Sequence, residues 1–252
     1  MKINSVDKAI TVLNCFTSQN PVLGVGEISS ETGYTLSTVS RLLSTMEKRG
    51  VVERVDTSRK YQLGYRVYLW GILSRDQKSL PKFARPIMEK LRDECGEEVS
   101  LYVISENHRI CIERVPSKHA IAMSGSIGAT LPLHTGASGQ VLLAFLPPGK
   151  RREFLEKQSL ERFTEHTITA PDELEIKLQR IRKQGFAVSR EEREPGAYSI
   201  VAPIWDTNNH IAASLSISGP IYRLSDDQLE LNIKRILSAT GKISKKIACR
   251  LK

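Results

Sequence analysis

The N-terminal part of the chain carries three stretches in which apolar residues recur at helical spacing. Val6, Ile10 and Leu13 mark the first stretch, and Ser5 is placed to cap that helix. A second helix is predicted to end at Gly33. The third is the clearest, because its apolar positions follow the i, i+3, i+4, i+7 pattern of an amphipathic helix; they are Val39, Leu42, Leu43 and Met46.

The polar face of the third helix has an unusual composition. Ser37, Thr38 and Ser40 lie in its first turn, and Arg41 and Thr45 follow on the same side. A helix that enters the major groove of DNA needs small hydroxyl residues and an occasional arginine near its start. The exposed face of an ordinary surface helix would be richer in Glu and Lys, so the pattern favours a DNA-recognition helix.

Two segments that alternate like strands, 51–55 and 60–63, follow the third helix. The order of helix, short turn, helix and hairpin is typical of a winged helix-turn-helix. The basic residues of the hairpin, Arg54, Arg59 and Lys60, are predicted to contact phosphates, which position a protein on DNA without recognising its sequence.

The rest of the chain mixes helical and strand patterns, which indicates a two-domain α+β protein. We assign residues 1–64 to the winged helix-turn-helix, residues 65–80 to a linker helix, and residues 81–252 to a second domain whose strands and helices share one core. In the second domain, Ser225-Asp-Asp-Gln228 predicts a capping box at the start of a long final helix.

Composition indicates the class of binding partner but does not show where on the chain that partner binds. A net charge of +9 indicates a polyanionic partner, yet seven Lys/Arg and no acid fall in residues 234–252, far from the predicted recognition helix. No apolar run approaches the roughly 18 residues of a membrane span, and the N-terminus lacks the apolar core of a signal peptide. We therefore expect a cytoplasmic protein with no membrane partner, whose four cysteines are isolated.

Catalysis is the rival interpretation. His134 and the carboxylates of Glu191, Glu192 and Glu194 could serve as acid–base groups in an enzyme fused to a helix-turn-helix. Such a dense run of alternating charge is more typical of a solvated loop, and the five histidines show no metal-ligand spacing. We predict no catalytic residue, metal ligand or cofactor. A third possibility is a second domain that only oligomerises.

Several segments, in order along the chain, resemble IclR-type transcriptional regulators. These are Ser37-Thr-Val-Ser-Arg-Leu-Leu43, Lys60-Tyr-Gln-Leu-Gly64, Leu131-Pro-Leu-His-Thr-Gly-Ala-Ser-Gly139, Ala202-Pro-Ile204 and Ser214-Leu-Ser-Ile-Ser-Gly-Pro220. The resemblance spans nearly the entire chain. It implies a winged helix-turn-helix joined by a linker helix to a GAF-like effector-binding domain, and homodimers or homotetramers that bind palindromic double-stranded operators. The effectors that it implies are small organic acids.

The resemblance also assigns an effector pocket, residue by residue. The assigned positions are Ala120, Met123, Ala137, Ser138, Gly139, Ser189, Ser199, Ser216 and Ser218. Residues 137–139 begin a predicted helix, whose first N–H groups are natural receptors for a carboxylate. Relatives often carry Asp and Cys at the positions of Ser189 and Ser199. We therefore expect a carboxylate effector that is less hydroxylated, or larger, than the simplest two- and three-carbon acids.

Overall fold

The computed structural model describes residues 3–17, 20–55, 58–77, 80–120 and 125–250. The chain divides into two compact units, Met1–Lys78 and Ser79–Lys252. The first unit is helical with a small sheet and the second is built on a large sheet, so the predicted two-domain α+β class is confirmed. None of the helices in the described ranges is both long enough and apolar enough to span a bilayer.

The first unit has the predicted order of helices and hairpin. Its elements are α1 (Asn4–Asn14), β1 (Leu23–Gly24), α2 (Val25–Thr32), α3 (Leu36–Lys48), β2 (Val52–Arg54), β3 (Lys60–Leu63) and α4 (Tyr65–Gln77). The three strands form an antiparallel sheet in the order β1-β3-β2. The hairpin that follows α3 is the wing of a winged helix-turn-helix.

Local signals explain where the helices of this unit begin and end. The side chain of Thr35 accepts a hydrogen bond from the backbone N–H of Thr38, 3.3 Å away, and caps α3. Gly33 ends α2 with φ of 70°, in the left-handed region that glycine adopts without strain. The predicted cap at Ser5 is wrong, because α1 begins at Asn4 and the N-cap position is Ile3, so Ser5 lies inside the helix.

The second unit contains one sheet and five helices within the described residues. Its elements are α5 (Leu80–Cys95), β4 (Glu98–Ser105), β5 (His108–Val115), β6 (Thr130–Pro132), α6 (Ala137–Ala144), α7 (Pro148–Lys157), α8 (Pro171–Gln184), β7 (Ala187–Arg190), β8 (Ala197–Trp205), β9 (Ile211–Pro220) and α9 (Asp226–Arg250). The predicted capping box of α9 is confirmed, because Ser225 and Gln228 exchange backbone-to-side-chain hydrogen bonds of 3.3 and 3.4 Å.

The six strands form an antiparallel sheet in the order β6-β5-β4-β9-β8-β7, with a different environment on each face. One face carries apolar side chains such as Leu101, Ile200 and Ile217, which pack with Met88 of α5 and Ile236 of α9. The other face lies against α6 and α8. Because side chains alternate between faces, the strand residues between those apolar positions point to the second face.

A bulge interrupts the pairing of β4 with β5. Leu101 lies opposite Glu113 and Tyr102 lies opposite Cys111, so Ile112 has no partner across the pair. An extra residue of this kind reverses the alternation of side chains beyond it. Residues on the two sides of the bulge that would point to opposite faces of a regular strand therefore share a face.

Candidate functional site

The outward face of α3 is a surface on which DNA could bind. Ser37, Ser40, Arg41 and Thr45 are exposed, and Thr38 is half-buried. The Thr45 hydroxyl donates to the carbonyl oxygen of Arg41, 2.9 Å away. The hydroxyl proton of Thr45 is therefore engaged within the helix. Within the described parts of the chain, Arg41 has no acidic partner within ion-pair distance. Its guanidinium is available to an external acceptor.

The basic residues of the wing differ in their surroundings. The Nε of Arg54 lies 3.2 Å from a carboxylate oxygen of Glu47, and the Nζ of Lys60 lies 2.9 Å from one of Glu27. Arg59 is exposed in the turn before β3. Ion pairs at the surface stabilise a fold little, so a DNA phosphate can compete for Arg54 and Lys60.

Four of the predicted pocket serines are brought together by the large sheet. Ser189 of β7 pairs with Ser199 of β8, which pairs with Ser218 of β9. Ser216 is two residues away on β9 and therefore points to the same face, where its hydroxyl oxygen lies 2.7 Å from that of Ser218. We call these four residues, Ser189, Ser199, Ser216 and Ser218, the serine row.

The serine row is partly open to solvent in the middle of the sheet. Ser189 and Ser216 are buried, whereas Ser199 and Ser218 are only half-buried. β8 and β9 are interior strands with a neighbour on each side, so exposure at these two positions comes from space above the sheet. A polar surface beneath such a space suits a small polar ligand.

The start of α6 lies on the same face of the sheet. Ala137, Ser138 and Gly139 are all buried there, and the Ser214 hydroxyl donates to the carbonyl oxygen of Ser138 at 3.2 Å. A Cβ on Gly139 would lie 2.5 Å from the carbonyl oxygen of Leu133, so glycine is needed for this close approach. The first N–H groups of α6, which have no acceptor within the helix, thus begin beside the serine row.

The remaining two predicted pocket residues lie on one segment. Ala120 is exposed and is the last described residue before a gap in the described chain. Met123 lies outside the described residues. The predicted pocket wall formed by this segment therefore stays a prediction.

Three polar residues that sequence reasoning missed extend the serine row. Glu98 lies opposite Ser218, and Ser100 lies opposite Ser216. Both oxygens of the buried Glu98 carboxylate accept hydrogen bonds, one from the Ser100 hydroxyl at 2.9 Å and the other from the Nη2 of Arg114. This bond to Glu98 raises the pKa of Arg114. The only sequence signal for this polar extension is that residues 98 and 100, which lie two apart and so share a face of a strand, are both polar.

A second arginine, Arg109, lies at the start of α6. It is 3% exposed, and its Nη1 donates to the carbonyl oxygens of Pro132 and, at 2.7 Å, of Thr135. Burial lowers the pKa of Arg109 to about 10, so the side chain remains charged at neutral pH. The bulge places Arg109 on the same face as Arg114, and its charge favours an anion near α6.

The charged loop between β7 and β8 is anchored by a buried carboxylate, so the expectation of a solvated loop does not extend to Glu192. Glu192 is 6% exposed. One of its carboxylate oxygens accepts from the Nζ of Lys177 and the other from the Nε2 of Gln140 at 2.6 Å. Its carbonyl oxygen accepts from the hydroxyls of Thr135 and Thr167, at 3.0 and 2.7 Å.

The two buried groups of the rival catalytic interpretation, Glu192 and His134, both have structural partners. Glu192 is the centre of the hydrogen-bond network just described. His134 is buried, its Nε2 lies 2.9 Å from the carbonyl oxygen of Glu161, and burial lowers its pKa. Both residues stabilise the loops around α6.

Comparison with known proteins agrees with this architecture. The family profile described as the bacterial transcriptional regulator IclR C-terminal domain matches residues 74–245, and that of the IclR helix-turn-helix domain matches residues 5–56. The transcriptional repressor IclR of Escherichia coli (strain K12) is 30% identical over 230 residues, which cover 90% of this chain and 84% of the relative.

Solved structures show the same fold. An IclR transcriptional regulator from Silicibacter sp. TM1040 superposes with a TM-score of 0.91 at 24% identity, covering 97% of this chain and 96% of that one. An IclR homologue from Microbacterium hydrocarbonoxydans, solved in complex with 4-hydroxybenzoate, superposes with a TM-score of 0.83 at 26% identity, covering 97% and 99%.

Proposed function

The chain belongs to the IclR family of bacterial DNA-binding transcriptional regulators, and from this premise we propose that it binds a palindromic operator as a dimer or tetramer and responds to a small organic acid. It is a regulator and not an enzyme. The observation that carries the proposed response is the serine row beside the buried start of α6. Its place of action is the cytoplasm, where operator DNA lies.

We assign DNA binding to residues 1–64, with separate roles for α3 and the wing. The α3 residues contact base edges in the major groove; they are Ser37, Thr38, Ser40, Arg41 and Thr45. The wing residues contact phosphates; they are Arg54, Arg59 and Lys60. The exposed hydroxyls of Ser37 and Ser40 and the available Arg41 guanidinium support the first role, and the exchangeable surface ion pairs of the wing support the second.

Oligomerisation is supported by the apolar surface of α4. Its large apolar side chains are 40% to 68% exposed; they are Tyr65, Tyr68, Leu69, Trp70, Ile72 and Leu73. Exposed apolar patches of this kind mark interaction surfaces, and a second copy of the chain would bury them. A two-fold dimer presents two recognition helices, which explains the expected palindrome.

We assign the effector's carboxylate to the first N–H groups of α6, near the buried charge of Arg109. The rest of the effector occupies the space above the serine row, with Ala120 and Met123 as a further wall. The ligand of the Microbacterium homologue, 4-hydroxybenzoate, has a carboxylate at one end and a hydroxyl at the other. An effector changes operator affinity only through its different affinities for the two states of the regulator. Residues 65–80 form the covalent link between the DNA-binding domain and the effector-binding domain.

Selection of bound duplexes from a random DNA pool, using the full-length protein, tests operator binding. We expect an enriched palindrome with two half-sites about one helical turn apart. Enrichment of a lone half-site would contradict the proposed dimeric mode.

Operator affinity and the thermal unfolding midpoint, measured with and without 4-hydroxybenzoate and a panel of small organic acids, test the response. We expect at least one acid to raise the midpoint and change operator affinity together. No shift with any acid would favour a second unit that only oligomerises.

A further inference from the structure

We propose that Glu98 is a specificity-determining residue that accepts hydrogen bonds from the effector's hydroxyl groups, and that the effector is therefore a hydroxylated monocarboxylate. This inference rests on the proposed effector site. It adds to that site a carboxylate from β4 and defines the chemistry of the effector's second end.

Glu98 belongs to the same cross-strand line as the serine row. The register places Glu98, Ser218, Ser199 and Ser189 side by side on four neighbouring strands. With about 4.8 Å between strands, the line is roughly 14 Å long, and its acid is at the β4 end. A less hydroxylated effector was expected because Ser189, at the β7 end of the line, carries no acid. Glu98 supplies a carboxylate acceptor at the β4 end.

The charge of Glu98 is balanced where it lies. Arg114 and Ser100 each donate to one of its oxygens, and a carboxylate has about four acceptor sites, so further donors can bind. An ammonium group here would meet the positive charge of Arg114, and a second carboxylate would meet the negative charge of Glu98. A neutral hydroxyl donates a proton without either repulsion, so this end favours hydroxyl groups.

The opposite end of the site favours one anion. The start of α6 is fixed over β9 by the bond between Ser214 and Ser138, and Arg109 lies beside it. Ser214 is four residues from Ser218, the strand partner of Glu98, which corresponds to about 13 Å along β9. Glu98 and Arg109 both have long side chains, so a six-carbon acid is long enough to contact one of them at each end.

Calorimetry on the full-length protein separates hydroxyl recognition from simple anion binding. The probes share one chain length: hexanoate, adipate and three stereoisomeric aldonates (gluconate, galactonate and mannonate). We expect the tightest aldonate to bind the wild type at least about tenfold more tightly than hexanoate, since hydrogen bonds to a charged group are that strong. Adipate should bind more weakly than that aldonate. Glu98→Gln should remove most of the aldonate's advantage and leave hexanoate unchanged.

Glu113→Gln is the matched control. Glu113 is also a buried carboxylate on the β4–β5 pair, and it accepts from Arg85 at 2.9 Å, but it lies opposite Leu101 and so points away from the serine row. We expect this variant to keep the wild-type preference. An equal loss in both variants would show that Glu98 acts only through stability and would overturn the inference.

Two further outcomes separate this inference from the proposed function. Hexanoate or adipate binding as tightly as every aldonate would overturn hydroxyl recognition but leave an acid-responsive regulator intact. Failure of all five acids to bind would overturn both the effector class and the inference, while operator binding by the same preparation would still support the DNA-binding role.

Discussion

The two polar surfaces of this protein, the outward face of α3 and the polar face of the large sheet, are built in opposite ways. On α3, Ser37, Ser40 and Arg41 are exposed, so water satisfies their hydrogen-bonding groups. On the sheet, Glu98 and Ser216 are buried and bonded to protein partners. A buried polar group without a partner is costly, so the second surface carries its own hydrogen bonds. Substitutions in the sheet unit should therefore cost stability, and those on α3 should cost only binding.

The largest expected effect is on the stability of the sheet unit. Glu192→Ala removes the acceptor of both Lys177 and Gln140 from a buried network, and we expect the free energy of unfolding to fall by about 3 kcal/mol. Chemical denaturation followed by the fluorescence of Trp205, in a Trp70→Phe background, measures this unit alone.

Glu47→Ala is the control on the exposed side of the comparison. It removes the partner of Arg54 at the surface of the first unit, so the Trp205 transition should be unchanged and the first unit should lose little stability. Equal losses in the two variants would remove the distinction between the surfaces.

The next effect is on base recognition by α3. Arg41→Ala should cost about 1–3 kcal/mol of operator affinity and relax specificity at one base pair, since a guanidinium that bonds a guanine is lost. Fluorescence anisotropy against a set of single-base operator variants measures both changes. Lys48→Ala, at the far end of the same helix, should keep the specificity profile. A uniform loss over all operators would instead make Arg41 a phosphate contact.

A smaller change is expected from the wing. Arg59→Ala should weaken binding to every DNA sequence alike and reduce the slope of log affinity against log salt by about one, since one phosphate contact is lost. Titrations at several salt concentrations, with operator and with scrambled DNA, give this slope. A specificity change without a change in slope would disprove the phosphate role.

The smallest effect concerns acid stability. Burial lowers the pKa of His134, so the folded state keeps the ring neutral while the unfolded chain binds a proton near pH 6.5. The stability from this difference is present above about pH 6.5 and is lost as the pH falls towards the lower folded pKa. His134→Gln should therefore show a shallower decline in unfolding free energy between about pH 7 and pH 5. An unchanged decline in this variant would contradict the proposed contribution of His134.

Elements with strong local signals could be predicted from the sequence. α8 shows such signals at both ends, because Pro171 starts the helix and Gly185 ends it with φ of 81°. The apolar stripe of α3 identified its buried and exposed sides correctly. The short strands β6 and β7 contain too few residues to show a period, and they were not delimited from the sequence.

The polar face of the sheet was harder to predict, for a physical reason. Alternation along β4 places Glu98 and Ser100 on one face and Val99 and Leu101 on the other. The same alternating pattern occurs when the polar face is exposed to water and when it packs against other protein groups, so the pattern does not distinguish the two cases. The partner of Glu98 is 16 residues away on β5, and their contact depends on the pairing register. Sequence reasoning therefore found the serines through resemblance and missed the ion pair beside them.

The bulge in β5 lets two arginines at an odd spacing act on the same side of the sheet. Arg109 and Arg114 are separated by an odd number of positions, so a strand of the same sequence without a bulge would send their charges to opposite sides. Deleting Ile112 would make the separation even, so a regular strand would keep both arginines on that side. The placement of these two charges should therefore survive loss of the bulge residue together with the bulge, but not a register shift that closes the bulge while Ile112 is retained.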